Sequence, residues 1–152
     1  DALPTQLYLS TNAADYESFL KINKPKYDDS WERWNRTLDM LKHLDTRTVL
    51  RITLIRNYND QKEMIPAFAE MFRKASPHFI EIKSYMHIGR STNRLEHENM
   101  LEMSEVKKFS EQIAKESKIF SIMDESLVSR ISILQNNERF IDRYIPTYSN
   151  TN

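Results

Sequence analysis

The 152-residue chain contains no cysteine. Without a thiol it can build no disulfide, thiolate zinc site, cysteine nucleophile or cysteine-ligated iron–sulfur cluster. Glycine occurs once, at Gly89, so neither a P-loop nor a GxGxxG turn exists here. No sign of charge dominates. The 22 Lys and Arg balance 22 Asp and Glu, which excludes a polybasic nucleic-acid binder but leaves room for a local basic patch. No apolar run approaches the ~18 residues of a membrane-spanning helix, and no signal-peptide pattern opens the chain. What is present suits one compact domain: 39% hydrophobic residues, with 11% aromatic, supply a core. The chain starts in an apolar strand pattern without an initiating Met, which predicts a piece of something longer.

The pattern alternates strands with helices. Leu3–Ser10 has a period of two and reads as a strand. A short helix around Asp15–Lys21 precedes a strong one over Ser30–His43, whose apolar stripe is Trp31, Trp34, Leu38 and Leu41. Asp29 and Glu32 stand at capping-box spacing, as do Asp60 and Glu63 before a helix with Met64, Ile65, Phe68, Ala69 and Phe72 inward. Arg47–Arg56 and His78–His87 are further strands. Gly89–Met103 reads as a long loop, Ser104–Ser117 as a helix, and Ile119–Met123 and Leu127–Leu134 as weaker strands. Residues 1–146 form the domain and 147–152 a polar tail.

Strands separated by single helices imply βαβ crossovers and a parallel sheet, hence an α/β fold. An ordinary doubly wound sheet is apolar on both faces. This one is not. Leu50, Ile52 and Leu54 share one face, with Val49, Arg51, Thr53 and Ile55 opposite; Ile80, Ile82, Ser84 and Met86 share one, with Phe79, Glu81, Lys83, Tyr85 and His87 opposite. A polar face of this kind suits a barrel lumen, and the chain is long enough for about half of a (β/α) barrel.

Glu81–Leu95 carries the most chemistry. Glu81 and Lys83 lie on one strand face with roughly 7 Å between Cα atoms, either a structural pair or a lysine whose burial tunes it for acid–base or Schiff-base work. Tyr85 and His87 continue that face to the strand's carboxyl end, where α/β sites form. Arg90, Arg94 and Lys83, with Ser91, Thr92 and Asn93, are either a set of phosphate contacts at the strand end or a solvated charge cluster. His97-Glu98 is not an HExxH, so no metal site is expected.

These segments also carry a resemblance. LPTQLYLS, KINKPKYDDSWERWNRTLDML, TRTVLRITLIRNYN and FIEIKSYMHIGRSTNRL resemble the tRNA 4-demethylwyosine synthases, wybutosine-synthesising radical S-adenosylmethionine (SAM) enzymes. WER followed by TL, and K-x-Y-M-H-x-G-x-S-x-N-R-L, are its most specific strings. The resemblance implies the carboxyl-terminal half of a radical SAM barrel, a partial (β/α) barrel of parallel strands alternating with helices. It implies condensation of N1-methylguanosine, beside the anticodon of tRNA-Phe, with pyruvate, in the cytoplasm. SAM would lie near Ser10, Asn12, Arg51 and Thr53. Lys83, the candidate catalytic residue, would line the pocket with Tyr85 and His87, and Ser91, Asn93 and Arg94 would follow over the substrate.

Two departures bear on this. The CxxxCxxC loop that holds the family's [4Fe–4S] cluster is missing, and the cluster would come from a preceding part of the enzyme, as would FMN in a flavodoxin-like domain. STNAA at residues 10–14 replaces the expected SLDAP, so Asn12 stands for a carboxylate. Three readings follow: an enzyme part that is inactive alone, a non-catalytic tRNA-binding or interaction module on the same scaffold, or a small self-contained α/β binding protein unrelated to the family. Half a barrel would also expose its first strand, Thr5–Ser10, and self-associate through it.

Overall fold

The computed structural model describes residues 2–145; the expected polar tail at 147–152 lies outside the described residues. The chain runs β1 (Gln6–Ser10), α1 (Tyr16–Asn23), α2 (Ser30–Leu41), β2 (Arg47–Leu54), α3 (Ile65–Ala75), β3 (Phe79–Ser84), α4 (Met103–Ser117), β4 (Phe120–Ser126) and β5 (Ile131–Asn136). The five strands form one sheet in the order β1-β2-β3-β5-β4. β1, β2 and β3 are parallel, as the alternation with helices requires. The parallel reading fails at the end of the chain. β5 runs antiparallel to both β3 and β4, because only residues 127–130 join β4 to β5 and a parallel connection needs a dozen or more. Arg130 closes that turn in the left-handed region, at φ 49°.

One face of the sheet is covered by helices. Leu50, Ile52, Leu54, Ile80, Ile82 and Leu134 are fully buried there, against Leu38, Leu41, Phe68, Phe72, Val106 and Ile113 of α2, α3 and α4. Residues 68, 72 and 75 recur at helical spacing, so α3 presents one continuous apolar stripe. Phe68 and Phe72 stack with centroids 6.0 Å apart. Each such side chain contributes about 2 kcal/mol by leaving water. Trp34 packs against this core, whereas Trp31 turns to α1 and meets Phe19 edge-on at 5.2 Å.

Neither expected capping box forms. Asp29 Oδ2 instead accepts from Arg33 Nε at 2.8 Å, one turn along α2. Asp60 Oδ1 accepts from the Asn57 N–H at 2.8 Å, and a 3₁₀ turn at Lys62–Met64 leads into α3. The stretch expected as a loop after Gly89 contains two 3₁₀ turns, Gly89–Asn93 and His97–Asn99. Arg56 pins it to β2, donating to the carbonyls of Glu98 and Met100 and, at 2.6 and 2.7 Å, to both oxygens of Glu105. That guanidinium holds the Glu105 carboxyl below its ordinary range.

The other face is mixed: Arg51, Glu81 and Lys83 stand on it beside the buried side chains of Val49 and Phe79. Glu81 does not pair with Lys83. Its carboxylate accepts from Arg51 Nε at 2.8 Å, since register sets Arg51 directly beside Glu81 on the neighbouring strand. Two residues along one strand is a longer reach. The Arg51 guanidinium lies 4.5 Å from the Tyr8 ring centroid. Burial, then the Glu81 carboxylate, raises the Tyr8 hydroxyl pKa. At the amino-terminal end of β2, Arg47 is 6% exposed and donates to three successive carbonyls, Asp142, Arg143 and Tyr144, at 2.6 to 3.0 Å. The segment after β5 is thereby tied beneath the strands.

Candidate functional site

The carboxyl ends of β1, β2 and β3 converge on one cavity of about 240 Å³. A buried asparagine organises it. Asn59, fully buried in the turn after β2, accepts from the Ile55 N–H at 2.7 Å and donates to the carbonyls of Asn12 and Thr53, each at 2.9 Å. Asn12 in turn accepts from the Thr53 N–H through Oδ1 at 2.9 Å. After the Thr11 N–H has donated to the Arg51 carbonyl at 2.7 Å, this carries the β1–β2 ladder one step further by side-chain means. The Asn12 amide N–H groups have no acceptor among the described residues and remain for a ligand, beside one lone pair of its oxygen.

The floor is apolar. Ile55, Tyr85 and Leu95 form a small buried cluster supported by Ile22, Tyr58 and Met100. Tyr85 is fixed by its N–H to the Leu54 carbonyl at 2.7 Å, and its hydroxyl meets His87 Nδ1 at 3.2 Å. The His87 ring stands 6.1 Å from that of His97. Around the rim lie Lys21, Lys24, Ser91 and Arg94. Lys21 sits over the Tyr58 ring, 4.9 Å from its centroid. No carboxylate lines this cavity. An aromatic floor under a cationic rim is chemistry suited to a nucleotide.

Of the residues nominated from sequence, Asn12, Thr53, Tyr85, Ser91 and Arg94 line this cavity, and His87 is one hydrogen bond away. Four stand apart. Ser10 is exposed at the last position of β1. Arg51 is engaged with Glu81 on the open face. Lys83 lies half-buried between Thr53 and Ile131 in register, without an ion pair among the described residues. Asn93 is exposed in its 3₁₀ turn. Lys21, Lys24, Tyr58 and Asn59 escaped the sequence reading; the only signal was that they fall in KINKPKY and RNYN, two of the segments that carry the resemblance. Among the described residues no group of three His, Asp or Glu side chains is close enough to hold a metal, and no helix is long and apolar enough to cross a membrane.

Comparison with known proteins defines the class first. Residues 74–136, from the end of α3 through β5, match the protein family described as wyosine base formation. Over 141 residues, 91% of its length, the chain is 43% identical to the S-adenosyl-L-methionine-dependent tRNA 4-demethylwyosine synthase of Methanocaldococcus jannaschii, of which it covers 43%. It is 41% identical over 114 residues to the synthase of Oryza sativa subsp. japonica, covering 74% of this chain and 17% of that one. A solved structure of TYW1 with a lysine-pyruvate adduct bound superposes with a TM-score of 0.81 at 42% identity, over 91% of this chain and 43% of that one. A crystal structure of archaeal TYW1 gives 0.72 at 37% identity, with 91% and 42% covered. The resemblance read from the sequence therefore holds: the chain is similar, over nearly all its length, to the tRNA 4-demethylwyosine synthases. It spans about two-fifths of the archaeal relatives it matches.

Proposed function

We propose that this chain supplies the carboxyl-terminal half of a radical SAM barrel in a tRNA 4-demethylwyosine synthase, a carbon–carbon lyase, and that its strand ends meet SAM and the methylated guanosine of tRNA-Phe. The observation that carries the reading is the convergence of Asn12, Thr53, Tyr85, Ser91 and Arg94 on one cavity. That cavity lies at the carboxyl ends of parallel strands, where barrel enzymes build their sites. The open polar face, with its Arg51–Glu81 pair, suits the interior of a barrel that other residues complete.

Each group has a role available. The Asn12 amide, its oxygen already accepting from Thr53, offers a donor where the family's carboxylate would accept from a ribose hydroxyl. Tyr58, partly exposed in the cavity wall, offers aromatic surface to a base, and the Tyr85–His87 hydrogen bond can hold a proton at the tyrosyl oxygen. Ser10, Arg51 and Thr53 border SAM on the open face, and Asn93 meets the substrate from its turn. A [4Fe–4S] cluster does not fit this chain, which has no thiolate to bind it; residues outside the chain would hold it, as they would FMN. Pyruvate is the second substrate. Lys83 is the amine that the open face presents to it, and a relative is known with a lysine-pyruvate adduct. The tRNA substrate puts the enzyme in the cytoplasm.

The test is the intact mass and amino-terminal sequence of the native protein from its source, followed by assay of that protein with SAM, pyruvate and methylated tRNA-Phe. Residues before Asp1 containing CxxxCxxC, and formation of the tricyclic base, are expected. Borohydride should trap pyruvate on the native enzyme but not on Lys83→Arg. A native chain that begins near Asp1 would overturn the catalytic reading and leave a tRNA-binding module.

A further inference from the structure

The geometry points to Lys21, Lys24 and Arg94 as a phosphate clamp that holds a nucleotide by its backbone at the cavity beyond β1, β2 and β3. The inference deepens the nucleic-acid reading of this site and rests on it for the identity of the RNA.

Three exposed cationic residues, Lys21, Lys24 and Arg94, line a cavity that no carboxylate lines. None of them joins an ion pair among the described residues. Lys21 also borders a neighbouring pocket with Asp15 and Glu17; Lys24 and Arg94 do not. Cations that share a cavity without acidic partners attract an anion. SAM is the wrong ion, since its sulfonium and ammonium outnumber its one carboxylate. A phosphodiester is the right one, and a planar guanidinium beside an ammonium is a recurrent way of holding it.

Lys24 ends α1 in the left-handed region, at φ 46°, with its N–H on the Leu20 carbonyl, the same ending that Ser76 and Lys118 give α3 and α4. Glycine is the residue such positions favour. Arg94 reaches the same cavity from the turn after β3, where its backbone N–H donates to the Ser91 carbonyl at 2.9 Å.

The experiment is an NMR titration of the full 152-residue chain with guanosine 5′-monophosphate, guanosine, inorganic phosphate and SAM. The monophosphate should bind at least tenfold more tightly than guanosine and shift the amides of Tyr58, Ser91 and Leu95, with the preference shrinking as salt rises. Lys24→Gly should melt higher than the parent yet lose about tenfold in monophosphate affinity, and Arg94→Gln should lose as much while folding normally. Guanosine affinity should not change in either. Equal binding of nucleoside and nucleotide, or full nucleotide affinity in both variants, overturns the clamp. So does displacement of phosphate by SAM at the same amides, which would assign the cations to its carboxylate. An anticodon stem-loop of tRNA-Phe that binds no better than an unrelated hairpin, while the phosphate preference persists, would instead overturn the tRNA reading and leave the clamp standing.

Discussion

Asn59 holds Asn12: one buried amide, 2.9 Å from the Asn12 carbonyl, joins the turn after β2 to the segment after β1. The same amide serves Thr53 and Ile55, so its removal orphans several backbone groups at once. Asn59→Ala should destabilise the chain by about 3 kcal/mol, measured by urea unfolding with an unchanged slope. Asn59→Asp, which keeps the acceptor and loses both donors, should cost nearly as much. A loss under about 0.5 kcal/mol in both would mean the turn is held by other means.

The Arg51–Glu81 pair makes an asymmetric prediction. The Glu81 side chain is 10% exposed and that of Arg51 37%, so deleting the arginine leaves a nearly buried carboxylate alone. Arg51→Ala should cost about 2 kcal/mol at neutral pH, and adding Glu81→Gln should recover at least half. Additive losses in the double-mutant cycle would show that the two side chains act separately.

His78 ties β3 to β2 by accepting the Thr48 N–H at Nδ1, 3.1 Å away. Burial first, then the positive charges of Arg139 and Arg47, lower its pKa from 6.5. A depressed pKa means that the folded chain prefers the neutral ring. Its contribution is therefore complete above pH 6.5 and declines as pH falls from there through the folded value. His78→Asn, which keeps an acceptor and cannot titrate, should flatten that part of the stability profile measured by thermal melts across pH. An equally steep fall in the variant would assign the loss to other groups.

Among the described residues β1 has one neighbour, β2, and its far edge presents free backbone groups. Such an edge recruits another strand. Sedimentation velocity should show concentration-dependent self-association of the isolated chain. A monodisperse monomer at high concentration would show that the edge is protected.

The two-faced sheet was legible because alternation in Leu50–Thr53 and Ile80–Lys83 states which side each residue takes. The helices were legible from their apolar stripes. Strand direction at the end of the chain was not, since alternation in residues 119–134 is the same whichever way a strand runs. The cavity was half legible. Tyr85, Ser91 and Arg94 follow β3 directly, so position at a strand end nominated them. Lys21, Lys24 and Tyr58 reach the same place from α1 and from the turn after β2, and only the topology brings them there. Asn59, in a stretch reading NYND, looks like any polar turn until its buried contacts are seen. Arg51 drew attention for its charge, and its partner depended on register, which one strand cannot reveal.

Arg47 sets the extent of what must fold together. Its guanidinium grips the carbonyls of residues 142–144 and also lies 5.4 Å from the Phe79 ring centroid, so β2, β3 and the stretch beyond the last strand open or close as one. Trimming at Asn136, where the sheet ends, would strand a cation with its acceptors gone. Amides at the base of β2 would then exchange with water far faster than those at its centre. The smallest cooperative unit is thus fixed by one side chain, several residues past the final rung of the ladder.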